Sequence, residues 1–319
     1  MSLFTLAGTG PSGPCCRWEK GGKGGGETRG RHGRRAIFNL ILYLVLALAF
    51  FKGLLFLFRW YEVTGEADFA ADTAPGAVLA RLVRFVPTWL FECVSAAVVY
   101  GVWLGEAPAR FVLRGRAAAR IPPPASGRPV ILIHGFFMTP WSLGHVWWRL
   151  RQAGFNHLYF LDYFPMLGGL DGFAGQLDEL VERVAGTDGQ VDLVAHSQGG
   201  LIAARYVGAH PGRVARLVTI GTPFHGTRLW AMSVGDSLPQ MRPGSEFLRE
   251  TVGHPAFPGS TRVTSIYSTL DQIVLPAVSS RLETNGVENV ALDGLGHTAL
   301  LLSSDVAAQV VKALSRDSD

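Results

Sequence analysis

Two kinds of hydrophobic pattern run along this chain. Before about residue 105 the apolar residues come in long, nearly continuous runs; after residue 130 they come in short runs separated by helical periodicities. Ala36 to Phe58 is nearly all Leu, Phe, Ile and Ala, broken by Asn39 and Lys52 and closed by Arg59, Trp60 and Tyr61. At about 1.5 Å per residue such a helix crosses the roughly 30 Å hydrocarbon layer, provided Lys52 snorkels to the interface. A cleaved signal peptide is the rival, but the run is too long and has no clear small-residue cleavage site, so a retained membrane helix is expected.

A second run, Phe85 to Leu104, has Pro87 near its start and Glu92 inside it. Its apolar residues contribute roughly −4 kcal/mol to insertion and the acid costs about 2 to 3, a narrow margin in favour. The alternative is a helix lying on the membrane or against the domain that follows. Glu62, Glu66, Asp68 and Asp72 lie between the runs, whereas Arg110, Arg114, Arg116 and Arg120 follow the second. If both runs span, this asymmetry puts both ends on the cytoplasmic side; if only the first does, the main domain lies outside. Residues 36–120 are thus expected to be a membrane-anchoring region with one or two spans, at about 36–58 and 85–104.

Residues 121–129 are a Pro-rich linker, and 130–319 read as one domain of alternating elements. Val130 to Ile133 is a buried strand, Leu143 to Ala153 a helix, and Leu158 to Leu161 a strand. Phe173, Leu177, Leu180, Val181 and Val184 share one helical face. Strands at Val191 to Val194, Leu217 to Ile220, Val263 to Tyr267 and Val287 to Leu292 follow, with a last helix from Asp305 to Leu314. Alternation of this kind implies an α/β class and a parallel sheet covered on both faces.

Composition changes this picture at the N-terminus. Of the net charge of +4, residues 1–35 carry seven Lys/Arg against two Glu, leaving 22 basic and 23 acidic residues beyond them. The first 35 residues therefore read as a basic disordered tail, and the near-neutral remainder has no nucleic-acid footprint. Cys15, Cys16 and Cys93 imply neither a disulfide framework nor a cysteine metal site. The acids are scattered, and no cofactor is expected.

The chemistry gathers at one corner. Val191 to Gly200 runs an apolar strand into a glycine-backed turn, with Ser197 between strand and helix in an Ala-x-Ser-x-Gly pattern. Such a corner exposes the serine oxygen above the sheet edge with a helix N-terminus behind it. A serine hydroxyl is a weak nucleophile without a histidine base, an orienting acid and donors for an oxyanion. In a parallel sheet those residues belong just after the strands. His134-Gly135-Phe136-Phe137 follows the first strand, so the N–H groups of Phe136 and Gln198 are the expected oxyanion donors, with His134 structural. Asp271 follows the strand ending at Tyr267, and His297 follows the last strand, giving the chain order serine, acid, histidine. Asp293 is the rival acid, only four residues before His297. His196 and His225 are weaker candidates for a direct role.

Five strings carry a family resemblance: Ile-His-Gly-Phe, Ala-His-Ser-Gln-Gly-Gly, Gly-Thr-Pro-Phe-His-Gly-Thr, Ser-Ile-Tyr-Ser-Thr-Leu-Asp-Gln-Ile-Val and Gly-Leu-Gly-His-Thr-Ala-Leu-Leu. They resemble the bacterial triacylglycerol lipases of the α/β-hydrolase fold, and especially the small Bacillus-type lipases, which share the alanine before the nucleophile. The resemblance covers about Val130 to Leu314. It implies the α/β-hydrolase fold, with a mostly parallel sheet of about six strands and helices on both faces. It also implies a triad of Ser197, Asp271 and His297, and oxyanion positions Phe136 and Gln198. Two features depart from the smallest members: the stretch Arg228 to Arg262 is longer, and the N-terminal apolar region has no counterpart in them.

The expected activity is cleavage of carboxylic esters, of lipids in particular, through an acyl-enzyme on Ser197, at a membrane, with the bacterial inner membrane as the expected setting. An acyltransferase or thioesterase with the same triad, or a non-catalytic membrane module of the same fold, stays open. Arg228 to Leu248 mixes Leu229, Trp230, Met232, Leu238, Met241, Phe247 and Leu248 with Gly235, Pro239, Pro243 and Gly244, so one uninterrupted helix is excluded. Trp230 and Met241 are expected to wall an acyl pocket. Phe137, Met138 and Trp141 on the opposite rim are the other expected lining.

Overall fold

A computed structural model describes residues 25–68, 75–113, 127–232 and 234–316. The chain divides into two compact units, Met1–Ile41 and Leu42–Asp319. Of the first, only the opening of helix α1 (Gly25–Asp68) lies within the described residues.

The second unit is built on six parallel strands: β1 (Val130–Ile133), β2 (Leu158–Leu161), β3 (Val191–His196), β4 (Val214–Ile220), β5 (Arg262–Ser268) and β6 (Val287–Leu292). Their order across the sheet is β2-β1-β3-β4-β5-β6, so β3, which carries the serine corner, lies in the middle. All six β3 residues are buried. Ala195 at its end is in register with Ile133 of β1 and Thr219 of β4.

Side chains alternate across the sheet, as strand geometry requires. Ile131 and Ile133 of β1 with Leu193 and Ala195 of β3 join one core cluster; Val130, Leu132 and Val194 join the other. Over the first face lie α4 (Leu170–Ala185), α5 (Gln198–Ala209) and α7 (Glu246–Val252), with the single turn α6 (Ser237–Gln240) before α7. Over the second lie α3 (Gly144–Gln152), α8 (Ala299–Leu302) and α9 (Ser304–Ser315). Each strand and helix read from the apolar pattern is present, with ends displaced by a few residues. The long connection after β4 is broken, as its glycines and prolines require, into a 3₁₀ turn at Arg228–Met232 followed by α6 and α7.

The N-terminal helices differ from expectation in extent and in contacts. Helix α1 begins at Gly25, inside the stretch expected as a tail, and α2 spans Pro75–Leu113. Propagation adds one hydrogen bond per residue fixed, so an apolar helix carries its flanks with it. Residues 1–24 of the expected tail and 121–126 of the expected linker lie outside the described residues. The apolar stretches Phe38–Arg59 and Phe85–Glu106 are each 22 residues long, enough to cross a membrane.

Helix α2 has two faces. Val83, Val86, Leu90, Val94 and Val98 form an outward stripe, each between 46% and 64% exposed. Glu92, Ser95, Ala96 and Val99 are 2% exposed or less, and Val99 belongs to the second core cluster. The alternative of a helix against the main domain therefore describes the inner face. Against α1, the Trp89 indole N–H donates to the Gly53 carbonyl at 3.0 Å, and Phe56 stacks on Phe85 at 6.2 Å. Lys52, expected to snorkel outward, is instead 6% exposed, because its side chain lies on the inner side of α1.

Close packing of α5 on β1 fixes the middle of the molecule. A Cβ on Gly199 would lie 2.6 Å from the carbonyl oxygens of both Ile133 and His134, backbone atoms that cannot step aside. Gly199→Ala is therefore expected to cost about 1–3 kcal/mol or more, the usual range for overpacking. Thermal unfolding checks this; an unchanged melting temperature would mean that the approach is looser than described.

Candidate active site

Ser197 joins β3 to α5 at φ 53° and ψ −123°, a left-handed conformation that residues other than glycine rarely adopt. Its N–H donates to the Ile220 carbonyl at 2.9 Å, and its own carbonyl accepts from the Gly200 N–H at 3.0 Å. The corner is therefore gripped on both sides, with Ser197 8% exposed. Phe137, in the turn after β1, is the other described non-glycine residue with positive φ, at 51°. Both strained residues sit at the carboxyl ends of neighbouring strands, where strain accompanies function.

Asp271 and His297 come together from the loops after β5 and β6. The Asp271 Oδ2 to His297 Nδ1 distance is 2.7 Å, with the two residues 1% and 2% exposed. Asp271 Oδ1 accepts from the N–H groups of Ile273 and Val274, both at 2.8 Å. The carboxylate is thus held by its own turn and presents one oxygen to the imidazole. Asp293 instead is exposed and accepts from the Thr269 hydroxyl at 2.8 Å. Asp192, at the other end of β3, pairs with Arg128 at 3.3 Å and Arg216 at 3.4 Å.

The His297 ring lies 4.7 Å from that of His196, the residue before Ser197. Burial, and then the neighbouring His297, holds the His196 pKa well below the ordinary imidazole range, so this ring is neutral at physiological pH. It serves as a buried spacer, with Nε2 3.4 Å from the His297 carbonyl. His225 is exposed, with Nε2 3.0 Å from the Arg281 carbonyl.

Gln198 opens α5, so its backbone N–H is one of those a helix leaves without an intrahelical partner. Phe136 follows β1 in a turn whose geometry depends on Tyr163 and His134. The Tyr163 hydroxyl donates to the carbonyls of Gly135, at 2.9 Å, and His134, at 3.1 Å. His134 Nδ1 lies 2.9 Å from the same Gly135 oxygen, and its ring stacks on Tyr163 at 4.2 Å. In a trans peptide the C=O and N–H point in opposite directions, so pinning the Gly135 oxygen aims the Phe136 N–H the other way. Burial, chiefly, pushes the Tyr163 phenol above its ordinary pKa and keeps it a donor.

The residues expected to line the substrate site are divided by the fold. Phe137 is half-buried, its ring 4.6 Å from Phe136 and 6.0 Å from Trp103 of α2. Trp230 is half-buried beneath the Arg242 guanidinium, 5.6 Å away. Met138 and Met241, each 3% exposed, belong to the two core clusters, so packing is their observed role. Trp141 is 53% exposed and leans on Trp147 and Phe160. A linear pattern records that a side chain is apolar but not which side of a loop faces the sheet. Sequence reasoning missed Tyr163, which follows β2 in a strand-end position like those that were searched, and Trp103 and Glu92 of α2, which nothing local connects to the site.

The family model described as the alpha/beta hydrolase fold matches residues 168–249. A triacylglycerol lipase of Burkholderia plantarii is 32% identical over 158 residues, 46% of this chain and 42% of that protein. One from Pseudarthrobacter phenanthrenivorans is 37% identical over 113 residues, 32% of this chain and 35% of that protein. The chain therefore spans less than half the length of the curated relatives it matches. Among solved structures, lipase B of Aspergillus fumigatus superposes with a TM-score of 0.53 at 24% identity, over 61% of this chain and 55% of that one. Phospholipase PlaB of Legionella pneumophila does so with a TM-score of 0.51 at 14% identity, over 60% and 59%. These two likenesses establish the fold.

Two outcomes follow from the geometry. Asp271→Asn should lower kcat for an activated ester by several orders of magnitude, because an amide leaves the imidazole in the wrong tautomer, whereas Asp293→Asn should leave it within a few-fold. Reversed losses would mean that the acid is Asp293. Tyr163→Phe removes the neutral hydroxyl shared between the Gly135 and His134 carbonyls and should lower kcat about tenfold with KM little changed, which steady-state kinetics on a short ester checks.

Proposed function

We propose that this chain, which has the α/β-hydrolase fold and is similar over part of its length to bacterial triacylglycerol lipases, is a serine hydrolase of carboxylic esters, acting on lipids at a membrane surface. The observation that carries the reading is the 2.7 Å hydrogen bond between Asp271 and His297, two buried residues brought together from separate loops. A buried acid–imidazole pair beside a strained serine corner suits acyl transfer, with residues in the chain order this fold uses.

In the proposed reaction His297 Nε2 takes the proton of the Ser197 hydroxyl as its oxygen bonds to the ester carbonyl carbon. Asp271 holds the proton on Nδ1 and stabilises the imidazolium. The N–H groups of Phe136 and Gln198 bind the oxyanion of the tetrahedral intermediate. The carbon–oxygen bond to the alcohol then breaks, and the alcohol leaves with the proton from His297. Water repeats the sequence on the acyl-serine and releases the acid.

Lipid as the substrate class, and the membrane as the setting, are supported by the apolar surface of the N-terminal helices. Besides the outward stripe of α2, Leu42, Leu46, Phe50, Leu54 and Phe58 of α1 are exposed. Apolar surface of this extent marks a lipid or protein contact, and 22-residue apolar stretches favour lipid. Trp103 of α2 packs against Phe137 in the turn after β1, with ring centroids 6.0 Å apart.

The test is labelling by a fluorophosphonate together with turnover of p-nitrophenyl esters by the full chain in detergent. Wild type should label and turn over; Ser197→Ala should do neither while melting at a similar temperature, since the substitution removes one hydroxyl and keeps Cβ in place. Wild-type-like hydrolysis by that variant would overturn the assignment of the nucleophile.

A further inference from the structure

Glu92 is an acid in the middle of an apolar helix, yet it is fully buried and its carboxylate is directed at the loops that carry His297 and Asp271. Oε1 accepts from the Thr298 hydroxyl at 2.6 Å, the Gln272 amide at 2.5 Å and the Thr298 N–H at 3.3 Å. Oε2 accepts from the Ala299 N–H at 2.8 Å. Gln272 completes the circuit, its Oε1 accepting from the His297 N–H at 2.9 Å. One carboxylate thus holds the two residues after His297 and the residue after Asp271, across 180 to 207 positions of sequence.

The approach is tight. A Cβ on Gly296 would lie 2.4 Å from Glu92 Oε2, so the residue before His297 must lack a side chain for the carboxylate to reach its donors. Loop and helix are fitted to each other. Four donors around one carboxylate match an acceptor-only group, and a buried charge with that many partners is costly to leave half satisfied. Helix α1 adds a weaker contact to the same region, Arg59 to the Thr269 carbonyl at 3.5 Å.

We propose that Glu92 is a positioning residue for the catalytic pair: by binding the Gly296–Ala299 and Asp271–Gln272 segments together, it fixes His297 against Asp271 and makes α2 part of the active centre. The proposal rests on the hydrolase reading above. It gives the apolar helix pair a second role, because a hydrolytic domain lacking α2 would keep its triad residues but lose the group that sets their registration. It also accounts for the acid in α2: on the face docked against the domain, Glu92 has its charge met by the donors of the loops that carry His297 and Asp271.

The test uses the full chain in detergent, with Glu92→Gln as the isosteric variant and Val99→Ala as the control on the same docked face of α2. Turnover of a short p-nitrophenyl ester, the pH profile of kcat/KM, the fluorophosphonate labelling rate and the melting temperature are measured on each. The titratable groups around His297 are Asp271, His196 and Glu92, with Lys52 and His134 near His196. An imidazole less well held by Asp271 is a weaker base. Glu92→Gln should therefore lower kcat and the labelling rate about ten- to a hundredfold, with KM changed less than about threefold, as for a misplacement of roughly 1 Å. The acid limb of the kcat/KM profile should move to lower pH. Val99→Ala should lose melting temperature with that limb in place. Thr298→Val, which deletes only the hydroxyl bond to Glu92, should shift the same readouts in the same direction by less, and serves if Glu92→Gln does not accumulate. Unchanged kcat and acid limb in Glu92→Gln or, if it does not accumulate, in Thr298→Val would overturn the proposal, as would the same shifts in Val99→Ala. Failure of wild type to label at Ser197 would instead overturn the hydrolase reading.

Discussion

Ser197 is held in a backbone conformation that costs an L-residue on the order of 1–3 kcal/mol, and the site follows from how that cost is offset. The first turn of α5 lies so close to the end of β1 that only glycine fits at position 199. Pairing of β3 with β1 on one side and β4 on the other fixes where the strand must end. Given those contacts the chain can turn from sheet to helix only through a corner of this shape, which projects the side chain at the turn beyond the sheet edge. The same corner opens α5 at Gln198, whose free backbone N–H lies beside the serine. Strain and donor are one local arrangement.

The acid and the histidine are supported differently. Asp271 is organised by its own loop, through two backbone N–H groups, and would keep much of its geometry on any sheet of this topology. The His297 segment has its polar groups met from elsewhere: by Gln272 and, on α2, by Glu92. The turn after β1 is likewise set from a distance, since Tyr163 after β2 pins the Gly135 carbonyl and so orients the Phe136 N–H. Side chains outside the Ser197, Asp271 and His297 group therefore hold the segments that carry it, and burial keeps those hydrogen bonds free of competing water.

Much of this was legible in the sequence because it is local. The short apolar runs of the inner strands β1, β3, β4 and β5 are legible because those strands are largely buried on both faces, whereas the edge strands β2 and β6 are only half-buried. Ser197 stands out because small residues, Ala195 and Gly199, flank it, and Asp271 and His297 because they follow strands in a fixed order. What was not legible depends on pairs far apart in the chain. Glu92 reads locally as a penalty in a membrane run, and only the fold shows that its carboxylate meets donors some two hundred residues away. Lys52 reads as a snorkelling residue but points inward. Met138 and Met241 read as loop residues free to wall a pocket, whereas the core claims both. In each case the sequence states the chemistry of the side chain and leaves its direction to packing.

The central claim is that acyl groups pass through Ser197. Its most direct test is to quench the full chain in acid during turnover of a slowly deacylating ester and measure the mass of the intact protein and its peptides. The account predicts a stoichiometric acyl adduct on the peptide containing Ser197, formed in an initial burst and lost on further incubation. Turnover with no adduct, or an adduct on another residue, would contradict it.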